Sequence, residues 1–394
     1  MKTNLRSAVT EFDLIDPPCI TEELRLLRDQ VRRFVAEEVL PVADQWEREG
    51  CIPRSIFRRL GALGLLGMRH PVEHGGTDMG PVASVLWAEE LARSGYGGLP
   101  ASVLVHTDMS STHISRRGNE EQKCKYLPDI IRGEKIVAIA VTEPGAGSDV
   151  AGMKTRAVRD GDHWVIQGTK LYITNGVYGD IYIVAARTDP EAKGSRGISL
   201  FIVEKGTPGL VVARELEKHG DLCSDTAELY FDNLRLPDTA MLGELNKGFY
   251  AVMDNFQNER LVMAGSSIGA SMRAIELTLD HVRTRQAFGG TLWDLQATRQ
   301  KLSMLATKVA AARALTYSAA ELEALGKDCV REISMAKVFA CEVNVEVVNS
   351  CLQLHGGSGF MRGMAIERMT RDARIQTIGG GATEVMLEEV GKRL

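Results

Sequence analysis

A chain of 394 residues with 44% hydrophobic and 25% charged residues has the composition of an ordinary soluble globular protein, and it is too long for one simple core, so two or three domains are expected. Its net charge of -5 and pI near 6.0 leave no basic excess to attract nucleic acid or an anionic membrane. Seven cysteines without a Cys-x-x-Cys pair, and eight scattered histidines, argue for a reducing compartment and against a disulfide frame or a metal site.

The opening stretch from Met1 to Asp16 has no apolar core of signal-peptide length and carries both signs of charge. No later stretch approaches the roughly 20 apolar residues of a spanning helix. A cytoplasmic location without membrane insertion is expected, or the mitochondrial matrix for a processed eukaryotic chain. From Thr21 to about Arg132 the pattern is helical. Leu24, Leu27, Val31, Phe34, Val35 and Leu40 recur at spacings near three and four before Pro41, and Ile56 to Leu66, Val82 to Ala92 and Glu120 to Ile131 read as further helices. His106, Thr107 and Asp108 could line a pocket, but a lone histidine beside an apolar run is more often structural than catalytic.

Near Ile136 the character changes. Short runs rich in β-branched and aromatic residues, at 136–141, 163–166, 180–186, 197–203 and 227–231, are separated by turn signals such as Asn175-Gly176 and Pro208-Gly209. With no helix-length segment between them, they predict an antiparallel barrel or sandwich of about 100 residues. After Pro237 the helical period returns, with main helices from Gly248 to Arg283, Leu292 to Leu325, Val330 to Leu354 and Glu384 to Leu394. The expected fold is α+β, with an N-terminal helical domain (1–135), a middle β-barrel domain (136–240) and a C-terminal four-helix bundle (241–394).

Three stretches carry possible chemistry. On the helix from Gly248, Val252, Phe256, Glu259 and Met263 fall within an arc of roughly 60°, so a carboxylate sits on an apolar stripe. From this helix alone, an ion pair with a residue such as Arg260 is the better account. Thr142-Glu-Pro-Gly-Ala-Gly-Ser-Asp149 follows a strand; its glycines let backbone N–H groups approach an anion, and Ser148 offers a hydroxyl. Tyr172 and Thr174 share one face of a strand by alternation. A Gly-x-Gly-x-x-Gly fingerprint for a nicotinamide cofactor is absent.

Together with His355-Gly-Gly-Ser-Gly-Phe360 and Arg374-Ile-Gln-Thr-Ile-Gly-Gly-Gly-Ala-Thr-Glu384, these stretches make the sequence resemble the acyl-CoA dehydrogenases from about Thr21 to the C-terminus. The resemblance implies FAD, with Ile139, Val141, Thr142, Gly147 and Ser148 along the flavin and its pyrophosphate, and Tyr172 and Thr174 on the isoalloxazine ring. It also implies that Arg285, Phe288, Gln353 and Gly357 reach a neighbouring subunit's flavin in a homotetramer. Most members carry their catalytic glutamate in a Tyr-Glu-Gly-Thr motif, which aligns here with Gly379-Gly380-Gly381-Ala382. In the long-chain and isovaleryl branches the glutamate comes instead from a Glu-Arg-Leu helix, matched by Glu259-Arg260-Leu261.

Glu259 is then the expected base, the Gly380 backbone N–H the expected donor to the thioester oxygen, and Ser148, Arg260 and Gly379 the expected acyl-CoA contacts. The implied reaction is α,β-dehydrogenation of an acyl-CoA to a trans-2-enoyl-CoA, with electrons passed to an electron-transfer flavoprotein. The three glycines are expected to free volume beside the acyl chain. They and the run Cys223-Ser-Asp-Thr-Ala-Glu-Leu229 resemble long-chain and terpenoid members, which points to medium- to long-chain or methyl-branched, citronellyl-like substrates. The rivals are a flavin oxidase on the same fold and a catalytically silent acyl-CoA-binding homologue.

Overall fold

The computed structural model describes residues 12–394; the segment 1–11, where most of the stretch without a signal-peptide core falls, lies outside it. Helix α1 (Glu22–Phe34) begins at Thr21, whose hydroxyl accepts the Leu24 N–H, and carries Glu22 and Glu23 in its first turn and Arg32 and Arg33 in its last. Those charges oppose the helix dipole, while Leu24, Leu27, Val31 and Phe34 form the buried stripe. Helices α2 (Ala43–Glu49), α3 (Arg54–Ala62), α4 (Gly80–Ala92), α5 (Gly98–Leu104), α6 (Thr112–Arg117) and α7 (Glu120–Ile131) follow. α3 stops short of the expected Leu66 because Gly64 takes a left-handed conformation.

α4 is buried on nearly every side, and its Glu89 and Glu90 are matched by the Arg313 and Arg32 guanidiniums at 3.0 and 2.8 Å. It lies against α1 on one side and the long α8 (Gly248–Thr284) on another. Close approach is possible because α8 presents Gly265 and Gly269 there; a Cβ on Gly265 would lie 2.7 Å from the Val85 carbonyl, and one on Gly269 would collide with Glu89. One hydrophobic core accordingly joins residues of α1 and α4 to Leu261 and Val262 of α8 and to Tyr317 and Ile333 further along the chain.

The strands are β1 (Val137–Ala140), β2 (Arg156–Asp160), β3 (His163–Thr174), β4 (Ile181–Arg187), β5 (Ile198–Glu204), β6 (Leu210–Glu215), β7 (Thr226–Pro237) and β8 (Met241–Leu242). They form one sheet in the order β6-β7-β3-β2-β4-β5-β8, with β1 added beside β4. The pairing is mainly antiparallel, but β1 runs parallel to β4, in register Val137 with Ile181, a departure from the antiparallel expectation. β1 enters from α7, so its direction is set by the helical region and not by a hairpin. On one face Ile181, Ile183 and Ala185 share a core with Tyr126 and Ile130 of α7 and with Val252 of α8. On the other, Tyr182, Val184 and Ala186 pack with Trp164, Phe201 and Phe231.

The chain closes with α8, a hairpin of β9 (Gln286–Ala287) and β10 (Gly290–Thr291), α9 (Gln296–Ala324), α10 (Val330–His355), α11 (Ala365–Gln376) and α12 (Thr383–Gly391). α8 to α11 bury a second helical core that includes Ile268, Leu305, Val347 and Met369. Among the described residues, no helix is long and apolar enough to cross a membrane.

Candidate active site

The loop after β1 is pinned to β3 at two levels. The buried Lys170 ammonium donates to the Val141 carbonyl at 2.9 Å and to Glu143 Oε1 at 2.8 Å, while the Leu171 N–H donates to the Thr142 carbonyl at 2.9 Å. Glu143 also accepts the backbone N–H groups of Lys154 (2.6 Å) and Thr155 (3.0 Å). Val141 is buried, Ile139 and Thr142 are half-buried, and Gly147 and Ser148 are exposed beyond the Pro144-Gly145 turn. A Cβ on Gly145 or Gly147 would meet nothing within 4 Å, so the backbone is open to a ligand there.

A bulge in β3 between Lys170 and Ile173 turns Tyr172 left-handed, at φ 62°, and leaves it 66% exposed. Ile173 points into the core and Thr174 is half-buried. A non-glycine residue held in that conformation with its ring in solvent is strained for some purpose other than packing. The exposed aromatic ring and the unobstructed glycine loop fit a planar aromatic cofactor that carries phosphate, which is what FAD offers.

A second group gathers at the far ends of α8 and α10. Arg285 caps α8 by donating its N–H to the His281 carbonyl, and Phe288 stands 91% exposed at the tip of the β9–β10 hairpin with φ 54°. His281 stacks on His355 with ring centroids 4.3 Å apart, which ties this hairpin to the end of α10, where Gln353, Gly356 and Gly357 are exposed. A Cβ on Gly356 or Gly357 would meet nothing within 4 Å. The two groups are held by different neighbours in the chain, one on the sheet and one on the helix ends.

Glu259 directly follows two anchors on α8. One turn earlier, Asn255 donates to the Asp108 and Met109 carbonyls at 3.1 Å, and the neighbouring Asn258 donates to the Asp108 carbonyl at 2.9 Å. These bonds fix α8 on the segment after α5 and turn Glu259 the other way, toward the Gly379–Gly381 loop. A Cβ on Gly380 would lie 3.2 Å from Glu259 Oε1 and would collide with Met263 Sδ, and the residue is left-handed at φ 62°. The left-handed backbone and the contact with Met263 favour glycine at 380, and Glu259 adds a tight contact there.

Among the described residues the half-buried Glu259 carboxylate receives no hydrogen bond, and burial pushes its pKa up to about 7, against the partial opposing pull of Arg260 and Lys337. The Gly380 N–H likewise donates to no acceptor among the described residues, whereas the Gly379 N–H is taken by the Ile375 carbonyl. Arg260 does not form the ion pair with Glu259 that the helix alone suggests. It is buried over the Phe256 ring, 5.8 Å from its centroid, with Nε unsatisfied.

The structure also corrects the expectation that the three glycines free volume. The space beside Gly380 is held by Met263 and Glu259, and that beside Gly381 by Met386, whose Cε lies 2.6 Å from the Cβ position; only Gly379 has ordinary contacts, at 3.6 Å or more. His106 is structural: Nδ1 accepts the Val137 N–H at 3.1 Å, Nε2 faces the Ile130 carbonyl at 3.2 Å, and burial holds its pKa down at about 4. Sequence reasoning missed Lys337, which is fully buried beside this site and donates to the Gly381 carbonyl at 2.6 Å. The signal was present: Ile333, Lys337, Ala340 and Asn344 recur at three and four on the buried face of α10.

Three family descriptions match the chain in order: acyl-CoA dehydrogenase N-terminal domain at residues 21–134, middle domain at 138–234 and C-terminal domain at 246–394. The sequence is 40% identical over 375 residues to the long-chain specific acyl-CoA dehydrogenase, mitochondrial, of Sus scrofa, covering 95% of this chain and 87% of that protein. A solved acyl-CoA dehydrogenase from Geobacillus kaustophilus superposes with a TM-score of 0.93 at 39% identity, covering 96% of this chain and 99% of the other. A glutaryl-CoA dehydrogenase from Mycobacterium smegmatis in complex with FADH2 superposes with a TM-score of 0.89 at 30% identity, covering 95% and 94%.

Proposed function

The chain belongs to the acyl-CoA dehydrogenase family, and we propose that it oxidises medium- to long-chain or methyl-branched acyl-CoA thioesters, citronellyl-like chains included, to trans-2-enoyl-CoA with Glu259 as the base. The observation that carries the dehydrogenation is the pairing of an unbonded carboxylate poised near neutrality with a free backbone N–H at Gly380, 3.2 Å from the Gly380 Cβ position to Glu259 Oε1; the chain-length reading is supported by the similarity to a long-chain specific relative.

An α-proton beside a thioester is weakly acidic, so its removal needs a base in a water-poor site and a donor at the oxygen where charge develops. Glu259 takes the α-proton, and the Gly380 N–H donates to the thioester oxygen. A carboxylate held near pH 7 is ionised often enough to act and basic enough to be effective, which one saturated with donors is not. Arg260, with its unsatisfied Nε, and the exposed Ser148 offer polar contacts to the CoA portion, and Gly379 lets the thioester pass close to backbone. FAD, when bound, would supply the hydride acceptor; Ile139, Val141, Thr142, Gly147, Ser148, Tyr172 and Thr174 would hold it, and Arg285, Phe288, Gln353 and Gly357 would complete the site on a neighbouring subunit. The exposed Phe288 and Phe360, 91% and 81% accessible, support burial in a homotetramer. An electron-transfer flavoprotein collects the electrons.

The decisive experiment is anaerobic mixing of the FAD-loaded protein with an acyl-CoA panel. Flavin bleaching is expected for octanoyl-CoA and longer or methyl-branched chains, and butyryl-CoA as the best substrate by kcat/KM would overturn the chain-length reading. Glu259→Gln should keep FAD and slow bleaching by roughly 10²- to 10⁴-fold, the usual contribution of a general base. For the unmodified protein, kcat/KM should fall about tenfold per pH unit below about 7 as Glu259 takes up a proton.

A further inference from the structure

Lys337 is a buried ammonium with few partners. It lies on α10 at 0% exposure, between Ile333 and Cys341 on the buried face, and among the described residues its hydrogen-bond acceptor is the Gly381 carbonyl at 2.6 Å. No carboxylate lies within ion-pair distance of it among those residues. A buried lysine needs compensation, and burial accordingly pushes its pKa down. Of the carboxylates that face it, Glu342 is engaged by the Thr383 hydroxyl at 2.6 Å and is solvent-accessible. Glu259 is the other, and it has no hydrogen bond.

We propose that Lys337 is a positioning residue for Glu259: through the Gly381 carbonyl it holds the Gly380–Gly381 backbone in place, and its charge is the counter-ion that faces the Glu259 carboxylate across that loop. The proposal rests on Glu259 being the base. Both halves of the role come from one atom. Gly380 and Gly381 are left-handed, at φ 62° and 104°, and the carbonyl that Nζ grips belongs to the second of them. Moving that carbonyl would move the Gly380 amide and the surface against which Glu259 Oε1 rests.

The charged and titratable groups that bear on Glu259 come from three elements: Arg260 on α8, Lys337 on α10 with Cys341 and Glu342 beside it, and Glu389 and Arg393 on α12, which act on Arg260. The glycine loop contributes none. Arg260 lies over Phe256 and pulls on Glu259 more strongly than Lys337 does, but it stands on the same helix as Glu259; Lys337 is the cation that acts from the side of the loop it holds.

The test uses Lys337→Gln, which keeps a donor for Gly381 without charge, and Lys337→Met, which keeps neither, in the FAD-loaded protein. Loss of the cation raises the pKa of Glu259, so the acid limb of flavin reduction should move up by about one pH unit in both variants. In Lys337→Gln the rate should return to within a few-fold of the original at high pH, whereas in Lys337→Met the plateau should also fall about tenfold because the loop is unheld. A readout independent of turnover is thermal stability. A carboxyl whose folded pKa is raised loses its stabilising contribution as pH rises through that pKa, so the variants should lose melting temperature over a window reaching further above pH 7 than the parent does.

A rate loss of equal size at every pH, an unmoved acid limb, or failure of both variants to fold would each assign Lys337 to stability alone and overturn the proposal. Glu259→Gln separates the two readings. If it still bleaches flavin, the base assignment fails; if it does not, while the Lys337 variants keep the parental limb, only the inference about Lys337 fails.

Discussion

Glu143 and Glu259 are both carboxylates on which a buried lysine acts, one in contact and one from a distance, and the protein treats them in opposite ways. Glu143, in the loop after β1, accepts the Lys170 ammonium at 2.8 Å and the backbone N–H groups of Lys154 and Thr155. Burial pushes its pKa up, but Lys170 and those donors outweigh burial and leave it below the usual carboxylate range. Glu259 has no hydrogen-bond donor among the described residues, so burial wins over the more distant Arg260 and Lys337 and its pKa rises to about 7. The influence of a buried lysine does not by itself decide what a carboxylate is for. The number of donors that reach its oxygens does: a saturated carboxylate is a fixed anion that organises backbone, and an unsaturated one keeps its affinity for a proton.

The largest effect expected from this contrast is on the structural side. Lys170→Met strands the buried Glu143 anion and frees the Val141 carbonyl, and should cost about 3–5 kcal/mol of stability, read as a large fall in denaturation midpoint together with loss of FAD affinity. A fall below about 1 kcal/mol would mean that the backbone donors alone suffice. Next, Gly380→Ala forces an L-residue into a left-handed backbone and drives its methyl into Met263, for a cost of about 2 kcal/mol and a displaced Glu259. Met263→Ala added to it should restore part of the flavin-reduction rate; no recovery would show that backbone strain, not the collision, is responsible.

The smallest expected effect carries the clearest sign. Above pH 7 the folded protein holds Glu259 ionised against its burial, whereas the unfolded chain ionises it freely from the usual carboxylate range upward. Glu259→Gln should therefore raise stability at pH 8 by roughly 1–2 kcal/mol, allowing for its partial accessibility, and the gain should shrink as pH falls through 7 toward 4.5. Glu143→Gln should do the reverse, lowering stability at neutral pH by an amount that diminishes in acid, because a lowered pKa contributes above the unfolded value. Equal signs for the two variants in a pH series of melts would dissolve the contrast.

Much of this molecule is legible in the order of its residues. The long helix from Gly248 announces itself by period, and its observed end at Thr284 is one residue from the expected one. Tyr172 is exposed and Thr174 half-buried on either side of the buried Ile173, as alternation suggests, but it is the bulge in β3 that sets Tyr172 outward. β2 escapes sequence reading because Arg156–Asp160 buries Ala157 alone and shows no hydrophobic pattern, whereas Leu210-Val-Val-Ala213 of β6 carries a β-branched strand signal that sequence reasoning missed, although the strand buries nothing. The parallel start of the sheet escapes it too, since the direction of β1 depends on where α7 delivers the chain.

Residue identity placed Glu259 on the apolar stripe and removed any side chain from position 380; it could not assign the carboxylate a partner. Local sequence offered Arg260, the adjacent cation, and the fold laid that side chain over Phe256, where it acts on Glu259 from a distance without an ion-pair contact. The fold also brought Lys337, 78 positions along the chain, behind the same loop. Helical period fixes which face of a helix a residue occupies, and that is a property of the sequence. How many donors reach a carboxylate there, and therefore where it holds its proton, depends on what other elements pack against that face, and packing belongs to the tertiary structure alone.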